Sequence, residues 1–97
     1  MPLYVVLSKF TETGRTDIKS TSDRLDRLSP VAQRYGVKVV ANAITMGAYD
    51  VVTVMDAPDD ETIAKVIATV LSRGFVTTQT MRGFSIEEFR QVTSILD

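Results

Sequence analysis

Four side chains near the ends of strand-like segments are of types that could do chemistry: Ser8, Tyr49, Asp50 and Arg82. Tyr49 and Asp50 close a Gly47-Ala48-Tyr49-Asp50 segment that reads as a hairpin turn. There a phenol hydroxyl and a carboxylate would present a donor and an acceptor side by side. Turn chemistry explains the same residues without a ligand: Gly47 takes a positive φ, Tyr49 packs, and Asp50 accepts backbone hydrogen bonds. Arg82 offers a planar fork to an anionic ligand, or to an ion pair with Asp50 or Glu88. Lys9, beside Ser8, would be a Schiff-base nucleophile if desolvation lowered its pKa; a solvated lysine tip is the simpler account.

Other polar sets are less specific. Asn42, Thr53, Thr78, Gln79 and Thr80 would line a polar pocket if several shared one sheet face; otherwise they face solvent or a wet interface. Alternation puts Thr78, Thr80 and Arg82 on one face and Thr77, Gln79 and Met81 on the other, without saying which face meets the helices. Asp59, Asp60 and Glu61 imitate a metal cluster, but acidic residues opening a helix need no metal. With no EF-hand spacing, phosphate loop or cofactor fingerprint, no metal and no cofactor is expected.

The chain of 97 residues has a net charge of -1 and no cysteine, histidine or tryptophan. Those absences exclude a disulfide framework, a thiolate nucleophile, a zinc finger and a histidine-based triad. The charge balance opposes a nucleic-acid surface. The opening residues lack a basic n-region and a cleavage site, and no apolar run is long enough to span a bilayer. These features predict one domain over 1–97, cytoplasmic, with neither nucleic acid nor membrane as partner.

The elements that must position these residues are readable from pattern. Leu3 to Phe10 is β-rich and nearly continuous in hydrophobicity, predicting a central strand buried on both faces. Thr11 to Lys19 reads as a long loop. A first helix begins near Ser22, with Leu25, Leu28, Ala32 and Tyr35 as its stripe and Gly36 as its stop. Pro30 either kinks it or divides it, Ser29 then capping the second piece; the in-phase stripe favours the kink. Val37 to Thr45 and Ala48 to Met55 read as a hairpin joined at Met46-Gly47. A second helix opens at Ala57-Pro58-Asp59-Asp60-Glu61, buries Ile63, Val66, Ile67, Val70 and Leu71, and ends at Gly74. A fourth strand runs from Phe75 to about Gly83. Ser85 and Glu88 then form a capping box, with Phe84 and Phe89 as its staple, and Ile86, Phe89, Val92 or Thr93 and Leu96 as the apolar face of a third helix.

The order βαββαβ plus a C-terminal helix is the α+β, ferredoxin-like plan: a four-stranded antiparallel sheet with two helices on one face. The other face is left bare, which predicts a homodimer or a higher homo-oligomer built on it.

The segments Tyr4-Val5-Val6-Leu7-Ser8-Lys9-Phe10-Thr11, Thr45-Met46-Gly47-Ala48-Tyr49-Asp50-Val51-Val52, Ala57-Pro58-Asp59-Asp60-Glu61 and Thr78-Gln79-Thr80-Met81-Arg82-Gly83-Phe84 resemble the GYD family over nearly the whole chain. Its name motif corresponds to Gly47, Tyr49 and Asp50; Pro30 and Asn42 depart from its pattern. The resemblance implies a dimeric α/β-barrel fold and says little of function. A weaker similarity runs to the ligand-sensing domain of leucine-responsive regulators, whose hairpin helps form an effector site between subunits.

The resulting reading is a non-enzymatic, homo-oligomeric module that binds a small organic molecule or acts as a regulatory accessory. Its expected site is at the subunit interface near Tyr49, Asp50, Arg82 and Ser8. A cofactor-free dimeric α/β-barrel enzyme is the alternative, in which only Asp50 or Lys9 could act as base or nucleophile. A structural subunit of a larger complex is a third reading.

Overall fold

The β-rich segments pair into one antiparallel sheet in the computed structural model, which describes residues 1–96. Strands β1 (Leu3–Phe10), β2 (Lys38–Ile44), β3 (Val51–Asp56) and β4 (Val76–Gly83) lie in the order β2-β3-β1-β4. Along β1, Leu3 stands opposite Asp56 and Ser8 opposite Val51 of β3; on its other side Tyr4 faces Arg82 and Ser8 faces Thr78 of β4. On the outer edge, β2 shifts register between Val39 and Ala41, a bulge that inserts Val40.

Among the described residues five α-helices lie in chain order: α1 (Glu12–Thr16), α2 (Thr21–Asp26), α3 (Leu28–Arg34), α4 (Asp60–Ser72) and α5 (Ile86–Thr93). Tyr4, Val6 and Met55 from one sheet face form a single core with Leu28 and Ala32 of α3 and Ile63 and Val66 of α4. Burial therefore alternates along the central strands. Tyr4, Val6, Ser8, Val51, Thr53 and Met55 are buried, while Leu3, Val5, Leu7, Val52 and Val54 between them stay half-buried. The expectation that β1 is buried on both faces is corrected: it is central in the sheet, but helices cover one face only. The register also decides the face of β4. Thr78, Thr80 and Arg82 oppose Ser8, Val6 and Tyr4 on the helix side, and Gln79 and Met81 oppose Leu7 and Val5 on the bare side.

Local structure departs from the sequence reading in three places. The Thr11 to Lys19 segment is not a plain loop; it contains α1 and a short 3-10 helix at Ile18–Ser20. Thr11 caps α1 by accepting from the Gly14 amide at 3.1 Å and donates its hydroxyl to the Gly74 carbonyl at 2.7 Å. The first helix is divided rather than kinked, and the division falls at Arg27, three residues before Pro30. Pro30 thus sits in the first turn of α3, where a backbone donor has no intrahelical partner to lose. The hairpin loop is longer than expected: β3 begins at Val51, because Thr45 and Tyr49–Asp50 bond across the loop instead of pairing as strands. Gly47 takes φ 144° there, as the turn requires.

The C-terminal helix matches its signature. The Ser85 hydroxyl accepts from the Glu88 amide at 3.0 Å, Glu88 accepts from the Ser85 amide at 3.1 Å, and Phe84 meets Phe89 edge-on with centroids 6.4 Å apart. Yet no residue of α5 is buried. Ile86, Phe89 and Val92 are exposed, as are Ile95 and Leu96 beyond the helix. The radius of gyration, 14.7 Å, exceeds the ~13 Å of a compact 100-residue domain, as expected when α5 stands off the body. No helix among the described residues is long and apolar enough to cross a membrane.

Candidate functional site

The hairpin places Asp50 as a clamp. Its carboxylate accepts from the Phe10 amide at 2.8 Å, and its own amide donates to the Ser8 carbonyl at 2.8 Å. These bonds tie the loop to the end of β1. Tyr49 lies towards the bare face of the sheet: its hydroxyl donates to Gln79 at 2.6 Å, and the Lys9 ammonium stands 5.9 Å from its ring centroid.

Arg82 is elsewhere. It opposes Tyr4, six residues along β1 from Phe10, or about 20 Å at strand rise. It lies on the helix side of the sheet, stacks over the Phe84 ring at 4.4 Å and stands 3.7 Å from Glu88. Glu88, not Asp50, is its partner. Within one chain, then, Tyr49 and Asp50 share a corner with Ser8, and Arg82 does not converge with them. Ser8 itself divides its roles, with its carbonyl bound to Asp50 and its hydroxyl on the helix face.

Two of the three acids that open α4 are engaged within the fold. Asp59 caps the helix by accepting from the Thr62 amide at 2.8 Å, and hydrogen bonding from Thr62 holds its carboxyl below the usual range. Asp60 accepts from the Tyr4 hydroxyl at 2.5 Å, and that bond, with burial, pushes the phenol above its ordinary pKa.

A partly open cavity of about 250 Å³ lies between the sheet and α2, α3 and α4. Buried Val6, Leu28, Val51 and Met55 form its apolar interior, and Ser8 and Thr53 put hydroxyls on its floor. Arg24, Arg27 and Arg73 line it, with no carboxylate, lysine or histidine among the lining residues. Arg24 is fixed by Asp17 at 3.2 Å and stacks over Phe75 at 4.3 Å. The sequence reading missed these arginines because they come from separate segments, each with a local explanation: Arg73 ends a helix, where cations are favoured. The three-residue spacing of Arg24 and Arg27 was the available signal, since it puts both on one helix face.

Sheet order, register and single-sided helix layer define an α+β, ferredoxin-like domain of the dimeric α/β-barrel fold class, carrying an extra C-terminal helix. The chain belongs to the GYD domain family, whose model matches residues 4–93. It is 33% identical over 89 residues to a Thermus thermophilus protein described as "Glutamine synthetase and cystathionine beta-lyase binding protein", covering 91% of this chain and 94% of that one. A crystal structure of a protein from Thermus thermophilus is similar, with TM-score 0.57 and 22% identity over 88% of this chain and 95% of that one. So is 5-chloro-2-hydroxyhydroquinone dehydrochlorinase from Burkholderia phenoliruptrix, with TM-score 0.64 and 15% identity over 88% and 96% of the two chains. At these identities the two structures speak for the fold alone.

Proposed function

We propose that this protein is a homo-oligomeric accessory module that binds another protein, its copies joined through the bare face of the sheet. The observation that carries the reading is that face. Leu3, Val5, Leu7, Val52, Val54 and Met81 sit on it uncovered, with Ala41 and Ala43 beside them. A contiguous apolar sheet face is costly to leave in water, and a second copy is the commonest cover. The uncovered stripe of α5 supports the same reading. Tyr49, Gln79 and Lys9 would then lie at one end of the seam, where a small ligand could also be held. The protein-binding part rests on the family member described as a binding protein for two enzymes.

The alternative, a catalytic barrel, draws less support from the geometry. Asp50 is engaged by a backbone amide, and Lys9 is exposed beside Tyr49.

Light scattering after size exclusion should give a dimer or a larger even assembly. Val5→Lys combined with Val54→Lys should give a folded monomer, because both side chains point into the seam and the helix-side core is untouched. Glutamine synthetase or cystathionine beta-lyase should co-elute with the assembled protein and not with the monomeric variant. A wild-type monomer at every concentration, or an assembly indifferent to the two lysines, overturns the oligomer.

A further inference from the structure

We infer that the cavity between the sheet and α2–α4 is a binding site for a small hydroxylated aromatic carboxylate, its ring in the apolar interior and its carboxylate at the arginine-bearing mouth. This goes beyond the accessory role. The cavity lies within one chain, on the opposite side of the sheet from the proposed seam, so the two readings fail separately.

Size comes first. A cavity of about 150 Å³ lined by aliphatic and aromatic side chains accepts benzene. The present cavity, about 250 Å³, leaves room for one ring with small substituents. Val6, Leu28, Val51 and Met55 supply the apolar contact that a ring needs, each at most 9% exposed.

Charge comes second. The chain carries a net charge of -1, yet the cavity gathers arginines and no acid. Arg24 is neutralised by Asp17; Arg27 and Arg73 are exposed and have no ion-pair partner among the described residues. Guanidinium groups at the rim of an apolar pocket complement a carboxylate whose body is inside.

Hydrogen bonding comes third. Thr53 donates its hydroxyl to Asn42 and Thr21 donates to the Ile18 carbonyl. Ser8 is 7% exposed and lines the cavity beside Thr53. A buried hydroxyl facing an apolar space is a specificity element: it favours a ligand that brings its own polar atom to that depth. A ring hydroxyl opposite the carboxylate answers both ends of the cavity.

The test is a titration with 4-hydroxybenzoate followed by amide shifts in 15N-labelled protein. Saturable shifts clustered at Ser8, Thr53 and Arg24 are expected, weakening with salt because the mouth is exposed. The neutral 4-hydroxybenzyl alcohol should bind at least about tenfold more weakly. The double variant Arg27→Ala, Arg73→Ala changes only exposed residues, so it should fold; it should lose that tenfold preference and leave the alcohol's affinity unchanged. Ser8→Ala should erase the preference for 4-hydroxybenzoate over benzoate. The inference is overturned by the absence of saturable shifts, by shifts centred elsewhere, by equal affinity for acid and alcohol, or by a double variant that binds the acid as wild type does.

Discussion

Gly14 shows how one small side chain fixes the entrance to the helical layer. A Cβ at this position would lie 2.1 Å from the Phe75 carbonyl oxygen, a backbone atom that is itself hydrogen-bonded by the Thr11 amide at 2.9 Å. Gly14→Ala must therefore push α1 away from the turn before β4, at a cost of about 1–3 kcal/mol, seen as a lower melting temperature. Met55, 1% exposed beneath the helices, tests the core itself: Met55→Ala should cost about 2–5 kcal/mol in denaturant unfolding. Tyr4 carries a pH signature. Its phenol is held above the ordinary pKa, chiefly by the hydrogen bond to Asp60. A raised folded pKa gives stability that is complete below the unfolded value and is lost as pH rises through the folded one. Asp60→Asn should move the Tyr4 transition to lower pH in an absorbance titration of tyrosinate. At this scale, residue types were legible in the sequence and their meetings were not. Asp50 as a backbone acceptor was legible from turn chemistry. That Arg82 would find Glu88, and that Arg24, Arg27 and Arg73 would share a cavity with Ser8, depended on register and helix placement.

The elements differ in how locally they are determined. The capping box of α5 was readable because its rule spans four consecutive residues, Ser85 to Glu88. The break at Arg27 was not, because an in-phase apolar stripe continues across it; Leu28, Val31 and Ala32 are buried whether or not the helix is continuous. The α1 turn was hidden by its brevity and by Gly14, which reads as a loop residue until its tight contact with Phe75 is known. A pH experiment isolates α5. The Ser85 amide, as hydrogen-bond donor, is the main reason Glu88 has a lowered pKa. A lowered carboxyl pKa gives stability that is present above the unfolded value and is lost as pH falls through the folded one. Amide-exchange protection at Ser85 and Glu88, taken relative to the unstructured rate at each pH, should thus fall in acid, below the usual glutamate range, and Glu88→Gln, which keeps an acceptor without titrating, should flatten that dependence.

For the molecule as a whole, the plan of four strands with helices on one side was legible because each segment's period matches its element, and order then restricts topology. Which face stayed bare was not legible, since β1 reads as apolar on both. The structure resolves this through Tyr4, Val6 and Ser8, which alternate with half-buried Leu3, Val5 and Leu7. The proposed second copy and the proposed ligand thus address opposite surfaces of one sheet. Saturating 4-hydroxybenzoate should leave the oligomer's mass unchanged in light scattering.

The irregularity of β2 at Val40 has a consequence for how the sheet can grow. An extra residue on an outer strand twists the row of amides and carbonyls that an incoming chain would have to read. β4 is paired without a register shift from Val76 to Gly83. Ribbon-like extension is therefore discouraged at one margin and left to the other.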